Sequence, residues 1–142
     1  MRILETFHSV PNSQLVFIAG PYFGDGKYET IEANVKEAER YAIALANRGV
    51  FFFCPHIHTS HFGYKAKNKD GENYYKALDF VYLKMCKGIL MMPRWKESSG
   101  ARDEHEWAMG NNLNIFYPKS PNDNEVMDIL EKWAKWLESK VP

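Results

Sequence analysis

The chain has little of what marks the more specialised protein classes. Cysteine occurs only twice, at Cys54 and Cys86, which excludes a disulfide framework and makes a reduced, cytoplasmic setting the expectation. No apolar run approaches the length that crosses a bilayer, and the first residues lack the apolar core of a signal peptide, so neither a membrane partner nor export is expected. The 18 basic residues are matched by 18 acidic ones, and a neutral chain without a basic stripe is not expected to hold a nucleic-acid polymer. Its one basic stretch, Lys65-Ala66-Lys67-Asn68-Lys69, is followed closely by Asp70 and Glu72 and reads as a solvated loop. A standard metal motif is also missing. His56-x-His58-x-x-His61 lies close to Cys54, but the spacing fits no zinc signature and reads as polar loop surface. Neither a metal nor a cofactor is expected.

What the chain does have is alternation. Its 142 residues, 45% hydrophobic and 25% charged, suit a single globular domain spanning residues 1–142. Leu15-Val16-Phe17-Ile18-Ala19 reads as a strand, and residues 29–48 as a helix with Ile31, Val35, Ala38, Ala42 and Leu45 on one face, ended by Gly49. Val50-Phe51-Phe52-Phe53-Cys54 reads as a second strand stopped by Pro55, with core packing expected for the phenylalanines. Residues 56–73 read as a long loop of the kind that covers a site or meets a neighbour, and residues 74–85 as a helix. Gly88-Ile89-Leu90-Met91-Met92 is apolar enough for a central parallel strand, and residues 113–117 make a fourth. Residues 122–140 make a closing helix with a stripe of Val126, Ile129, Leu130, Trp133, Trp136 and Leu137. This order predicts an α/β, flavodoxin- or Rossmann-like three-layer sandwich, with a parallel sheet of four to five strands and helices on both faces.

Two segments carry candidate chemistry. The first strand runs into Gly20-Pro21-Tyr22-Phe23-Gly24-Asp25-Gly26, where glycines would let the backbone approach a ligand; neither a Walker loop nor a G-x-G-x-x-G spacing is present. After the third strand, Ser98 and Ser99 can cap a helix that ends at Gly110-Asn111-Asn112. Glu104 then falls in its first or second turn, at the carboxyl ends of the strands where ligands of such folds bind. Acidic residues also favour helix starts through the dipole alone. Glu106 is the competing carboxylate, but two positions along a helix it points about 200° away. His56, at the exit of the second strand, lies on the same edge. Tyr74 and Tyr75 remain open between packing and stacking on a base.

Together these segments resemble the nucleoside 2-deoxyribosyltransferase superfamily, including the deoxynucleoside-monophosphate N-glycosidases and small phage or bacterial relatives. The resemblance spans about residues 15–118. It rests on a strand ending in Ala19-Gly20-Pro21 with Tyr22-Phe23 after it, on Asn34 in the next helix, on Asp79, and on Ser98-x-Gly100-Ala101-x-x-Glu104-x-x-x-Ala108 before a further strand. It implies a retaining attack at the anomeric carbon of a 2′-deoxynucleoside or its 5′-monophosphate. Glu104 would be the nucleophile, held ionised by the helix N-terminus, and Asp79 would assist at the base or the sugar. Gly20, Pro21, Tyr22, Phe23, Asn34, His56, Ser98 and Gly100 would bind the substrate, and the chain would assemble as a homodimer or higher homo-oligomer. Two residues depart from the family's pattern: Phe17 stands where many members have a tyrosine, and Lys87 where an aspartate is usual. They motivate a rival reading, a non-catalytic nucleotide-binding or sensor protein that keeps the pocket.

Overall fold

A computed structural model describes residues 14–135. Four short strands form one parallel sheet: β1 (Val16–Ala19), β2 (Phe52–Phe53), β3 (Gly88–Met91) and β4 (Asn114–Phe116). Their spatial order is β2-β1-β3-β4, with Val16 opposite both Phe52 and Gly88, and Gly88 opposite Asn114. Six helices connect and cover them: α1 (Tyr28–Asn47), α2 (Pro55–His58), α3 (Phe62–Lys65), α4 (Glu72–Leu83), α5 (Ser99–Gly110) and α6 (Asn124–Ala134). The result is the expected flavodoxin- or Rossmann-like sandwich, with four strands.

Period-two alternation sorts the strands between two cores. Val16, Ile18, Leu90 and Met92 pack with Ala38, Tyr41 and Leu45 of α1 and Met127 and Leu130 of α6. Phe17, Ala19, Ile89 and Met91 face the other way, onto Leu83 of α4 and Ala101 and Ala108 of α5. β1 leads through α1 to β2 on one side, whereas β3 leads through α5 to β4 on the other. The carboxyl ends of β1 and β3 therefore form the topological switch point, where this class of sheet leaves a crevice.

Several local expectations need correction. The second strand is only Phe52–Phe53, and because it lies at the sheet edge Phe51 is exposed while Phe52 and Phe53 are half-buried. Residues 56–73 are not one loop: α2 and α3 lie within them, α2 opening on Pro55 at its first turn, a position where proline is tolerated. In α6, Met127, Leu130 and Ala134 are the buried stripe, and Ile129, at 60% exposed, faces solvent. Trp136, Leu137 and the continuation of that helix to residue 140 lie outside the described residues. Among the described residues, no helix is long and apolar enough to cross a membrane.

The closing helix is pinned at two places. The Arg48 guanidinium, at the end of α1, donates to Asp128 and Glu131 of α6 and to Asn124. Trp133 lies flush on β3, so that a Cβ added at Gly88 would meet its ring at 2.6 Å. Gly88→Ala is therefore expected to destabilise the protein by about 1–3 kcal/mol in urea unfolding. Gly63→Ala, on α3 with nothing within 4 Å of the new methyl, is the control and should leave the midpoint unchanged or slightly raised.

Candidate active site

Glu104 owes its place to helix spacing. Ala101, Glu104 and Ala108 recur on one face of α5 and are its buried residues, and the two alanines let the helix lie close to the sheet. The carboxyl group rides inward between them and is only 8% exposed. Glu106 is on the solvent side, so of the two carboxylates only Glu104 points inward. The side chain of Ser98 accepts from the Ala101 N–H at 3.2 Å and caps α5.

The expectation that this helix start holds Glu104 ionised is not met. Counting from Ser99, Glu104 is the sixth residue of α5, beyond the first turn in which the dipole acts. Burial pushes its carboxyl well above the usual range, and the charges of Asp79 and Asp103 push the same way. Asp79, in the middle of α4, is raised to about 7, again by burial. No hydrogen bond or ion pair among the described residues engages either carboxyl group. The two acids are near enough for the charge of Asp79 to bear on Glu104, and they form an interacting pair that favours retaining protons.

Tyr22 completes this group. The charges of Asp79 and of Tyr75 act on its hydroxyl, and burial, the larger cause, raises its pKa, so it stays a phenol at neutral pH. Its oxygen accepts from the His61 N–H at 3.1 Å.

The remaining predicted residues mostly build the walls. The Asn34 amide donates to the Tyr22 carbonyl at 3.0 Å. His56 is buried with Nε2 against the carbonyl oxygens of Pro21 at 2.9 Å and Gly20 at 3.2 Å. Two acceptors at one nitrogen put the proton on Nε2, and burial lowers the pKa of the ring, keeping it neutral. Both side chains brace the loop after β1, and His56 Nε2 is taken up by that loop's carbonyls. Gly20 serves packing: a Cβ there would lie 2.4 Å from Met92 Cε and 3.0 Å from Met92 Cβ, at the end of β3. Phe23 is exposed and covers Gly26. Gly100 has open space where a side chain would project, with only Ser98 Oγ at 3.9 Å.

The three histidines after β2 part company. His56 holds the loop, His58 packs edge-on against Phe53 and Tyr82, and His61 meets the Glu32 carboxylate at 2.6 Å. Among the described residues no group of three His, Cys, Asp or Glu could hold a metal ion. Lys87 is exposed at the amino end of β3, the opposite edge of the sheet from the crevice, so its charge does not shape the site. Phe17 is fully buried and packs 5.9 Å from the Phe53 ring.

Sequence reasoning missed two groupings. Glu32 pairs with His61 across 29 positions, and no local pattern marks it. Trp95, His105 and Tyr117 also gather beyond the ends of β3 and β4. Trp95 and His105 lie 4.1 Å apart, and His105 Nε2 is 2.6 Å from the Tyr117 hydroxyl.

Residues 14–118 match the family described as a domain of unknown function, DUF7768. The chain belongs to that family. The matched segment contains the whole sheet and every candidate site residue, and ends before α6. No curated protein matches the chain.

The carboxyl pair, Glu104 buried and Asp79 half-buried, has a consequence for stability. Asp79 titrates near 3.8 when exposed and near 7 in the folded protein, so between those pH values the folded state binds more protons than the unfolded one. Stability is then fully present at low pH and declines as pH rises through the window, with Glu104 acting in the same direction. Asp79→Asn should flatten this decline. The melting temperature of the parent relative to the variant is expected to fall by roughly 5 °C between pH 5 and pH 8, measured by calorimetry in matched buffers.

Proposed function

We propose that this protein cleaves or transfers at the N-glycosidic bond of a 2′-deoxynucleoside or its 5′-monophosphate, by a retaining mechanism with Glu104 as nucleophile. The observation that carries the reading is the pair of interacting, unpaired carboxyl groups, Glu104 and Asp79, on helices flanking the switch point of the sheet. The resemblance of residues 15–118 to the deoxyribosyltransferase superfamily supports it, since both acids fall on that pattern.

A pair that carries one proton suits the chemistry. With the proton on Asp79, the Glu104 carboxylate attacks C1′ of the sugar, the C–N bond breaks with its electrons going to the base nitrogen, and the Asp79 proton neutralises the departing base. Water or a second base then attacks C1′, giving its proton to the Asp79 carboxylate, and the C1′–O bond breaks to release Glu104 as a carboxylate. The step needs one group ionised and the other protonated, so the rate should follow a bell-shaped pH profile that belongs to the pair. Self-association as a homodimer or higher oligomer is part of the same reading.

A specific observation favours the rival, a nucleotide-binding protein without turnover. Phe17 is sealed in the core with no hydroxyl to offer, and the burial that raises Glu104 favours its non-nucleophilic form. Chromatography separates the two. Incubation with each 2′-deoxynucleoside and 5′-monophosphate, with and without a second free base, should release base or exchange it, and Glu104→Gln should lower the rate about a thousandfold or more. Binding seen as a rise in melting temperature, with no base released from any substrate, is the outcome of the rival.

A further inference from the structure

The segment that follows β2 does more than connect. From Cys54 to Lys65 it folds over the loop that leaves β1 and is tied to it at three points: His56 Nε2 to the Gly20 and Pro21 carbonyls, the His61 N–H to the Tyr22 hydroxyl, and the Tyr64 hydroxyl to the Gly26 carbonyl at 2.6 Å. A fourth tie joins it to α1, where His61 Nε2 donates to Glu32 at 2.6 Å.

His61 is the centre of this strap. It sits at φ 59°, in the left-handed region that residues other than glycine seldom adopt. Such a conformation persists only where the surroundings over-determine it. Here they do: the side chain is 8% exposed, stacked on Tyr28 at 4.4 Å and 19°, and fixed by Glu32 at its far nitrogen. The left-handed backbone aims the His61 N–H at Tyr22. A phenol hydroxyl accepts at its oxygen and donates one proton. With an acceptor site occupied by His61, the Tyr22 proton is left for whatever occupies the crevice beside Asp79.

Tyr22 is held at its carbonyl by Asn34 and along its ring edge by His56, at 5.6 Å and 83°. Within the strap, the hydroxyl depends on His61. Of the charged and titratable groups around it, Asp79 and Tyr75 come from α4, and His56, His61 and Tyr64 from the strap.

We infer that Glu32 and His61 are positioning residues for the crevice, locking the strap so that the His61 N–H orients the Tyr22 hydroxyl toward bound substrate. The inference rests on the reading of the carboxyl pair as a glycosyl-transfer site.

A double-mutant cycle on base release tests it, using the four 2′-deoxynucleosides as substrates and the intact chain. Tyr22→Phe removes the oriented hydroxyl, Glu32→Ala frees the ring, and His61→Gly keeps the N–H and suits the left-handed backbone but removes the lock. Each is expected to lower kcat about tenfold with a smaller change in KM. In the Y22F background E32A and H61G should cost nothing further, because their effect runs through the missing hydroxyl. Glu32→Gln, which keeps an acceptor for His61, should restore most of the rate and serves if E32A folds poorly. Losses from E32A or H61G that persist unchanged in the Y22F background, or single variants that leave kcat intact, overturn the inference. Absence of base release by the parent protein overturns the proposed function instead. The same cycle is then read on deoxynucleoside dissociation constants, where coupling supports the positioning role, additivity overturns it, and failure of the parent to bind any of the four overturns both.

Discussion

The site depends on one unfavourable act, the burial of a carboxyl group with no cation beside it. Glu104 lies on the only face of α5 that can pack against the sheet, between two alanines small enough to let the helix approach. Taking an ionised carboxylate out of water is costly unless it is paired, and an unpaired group avoids the cost by holding its proton. The structure pairs Glu104 with a second acid, Asp79, rather than with a base. Such an arrangement lowers stability near neutral pH, and it is the proposed function that would use it, to move a proton.

The surroundings explain how that arrangement is tolerated. The loop after β1 carries Tyr22 to the pair, and its own conformation is held by buried groups on three elements: Asn34 of α1, His56 of α2 and His61 at the head of α3. The walls are polar groups engaged through one atom each, Asn34 Nδ2, His56 Nε2 and the His61 N–H, while Nδ1 of both histidines is buried without a partner. The strain carried by His61 is local to the strap and is balanced by stacking on Tyr28 and the bond to Glu32.

Much of this was legible in the sequence, for physical reasons. The buried runs of β1 and β3, the apolar face of α1 and the spacing Ala101-x-x-Glu104-x-x-x-Ala108 are local patterns, and local patterns determine both the sheet class and the inward carboxylate. The edge position of β2 was not legible, because a run of phenylalanines reads the same at an edge as in a centre. Nor was the ionisation of Glu104. The dipole argument is local, whereas the desolvation that outweighs it comes from α4 and the sheet, elements far away along the chain. His56 and Asn34 were expected to bind substrate, and the contacts they make are to the backbone carbonyls of Gly20, Pro21 and Tyr22. Glu32 carried no signal at all, since its partner is reached only through the fold.

The central claim is that Glu104 becomes covalently bonded to the sugar. Intact-protein and peptide mass spectrometry, on samples quenched during turnover of a 2′-deoxynucleoside, tests it most directly. The account predicts a mass gain of one deoxyribosyl unit on the peptide that contains Glu104, absent from Glu104→Gln. Free base accumulating with no adduct at any time, or an adduct on another residue, would contradict it.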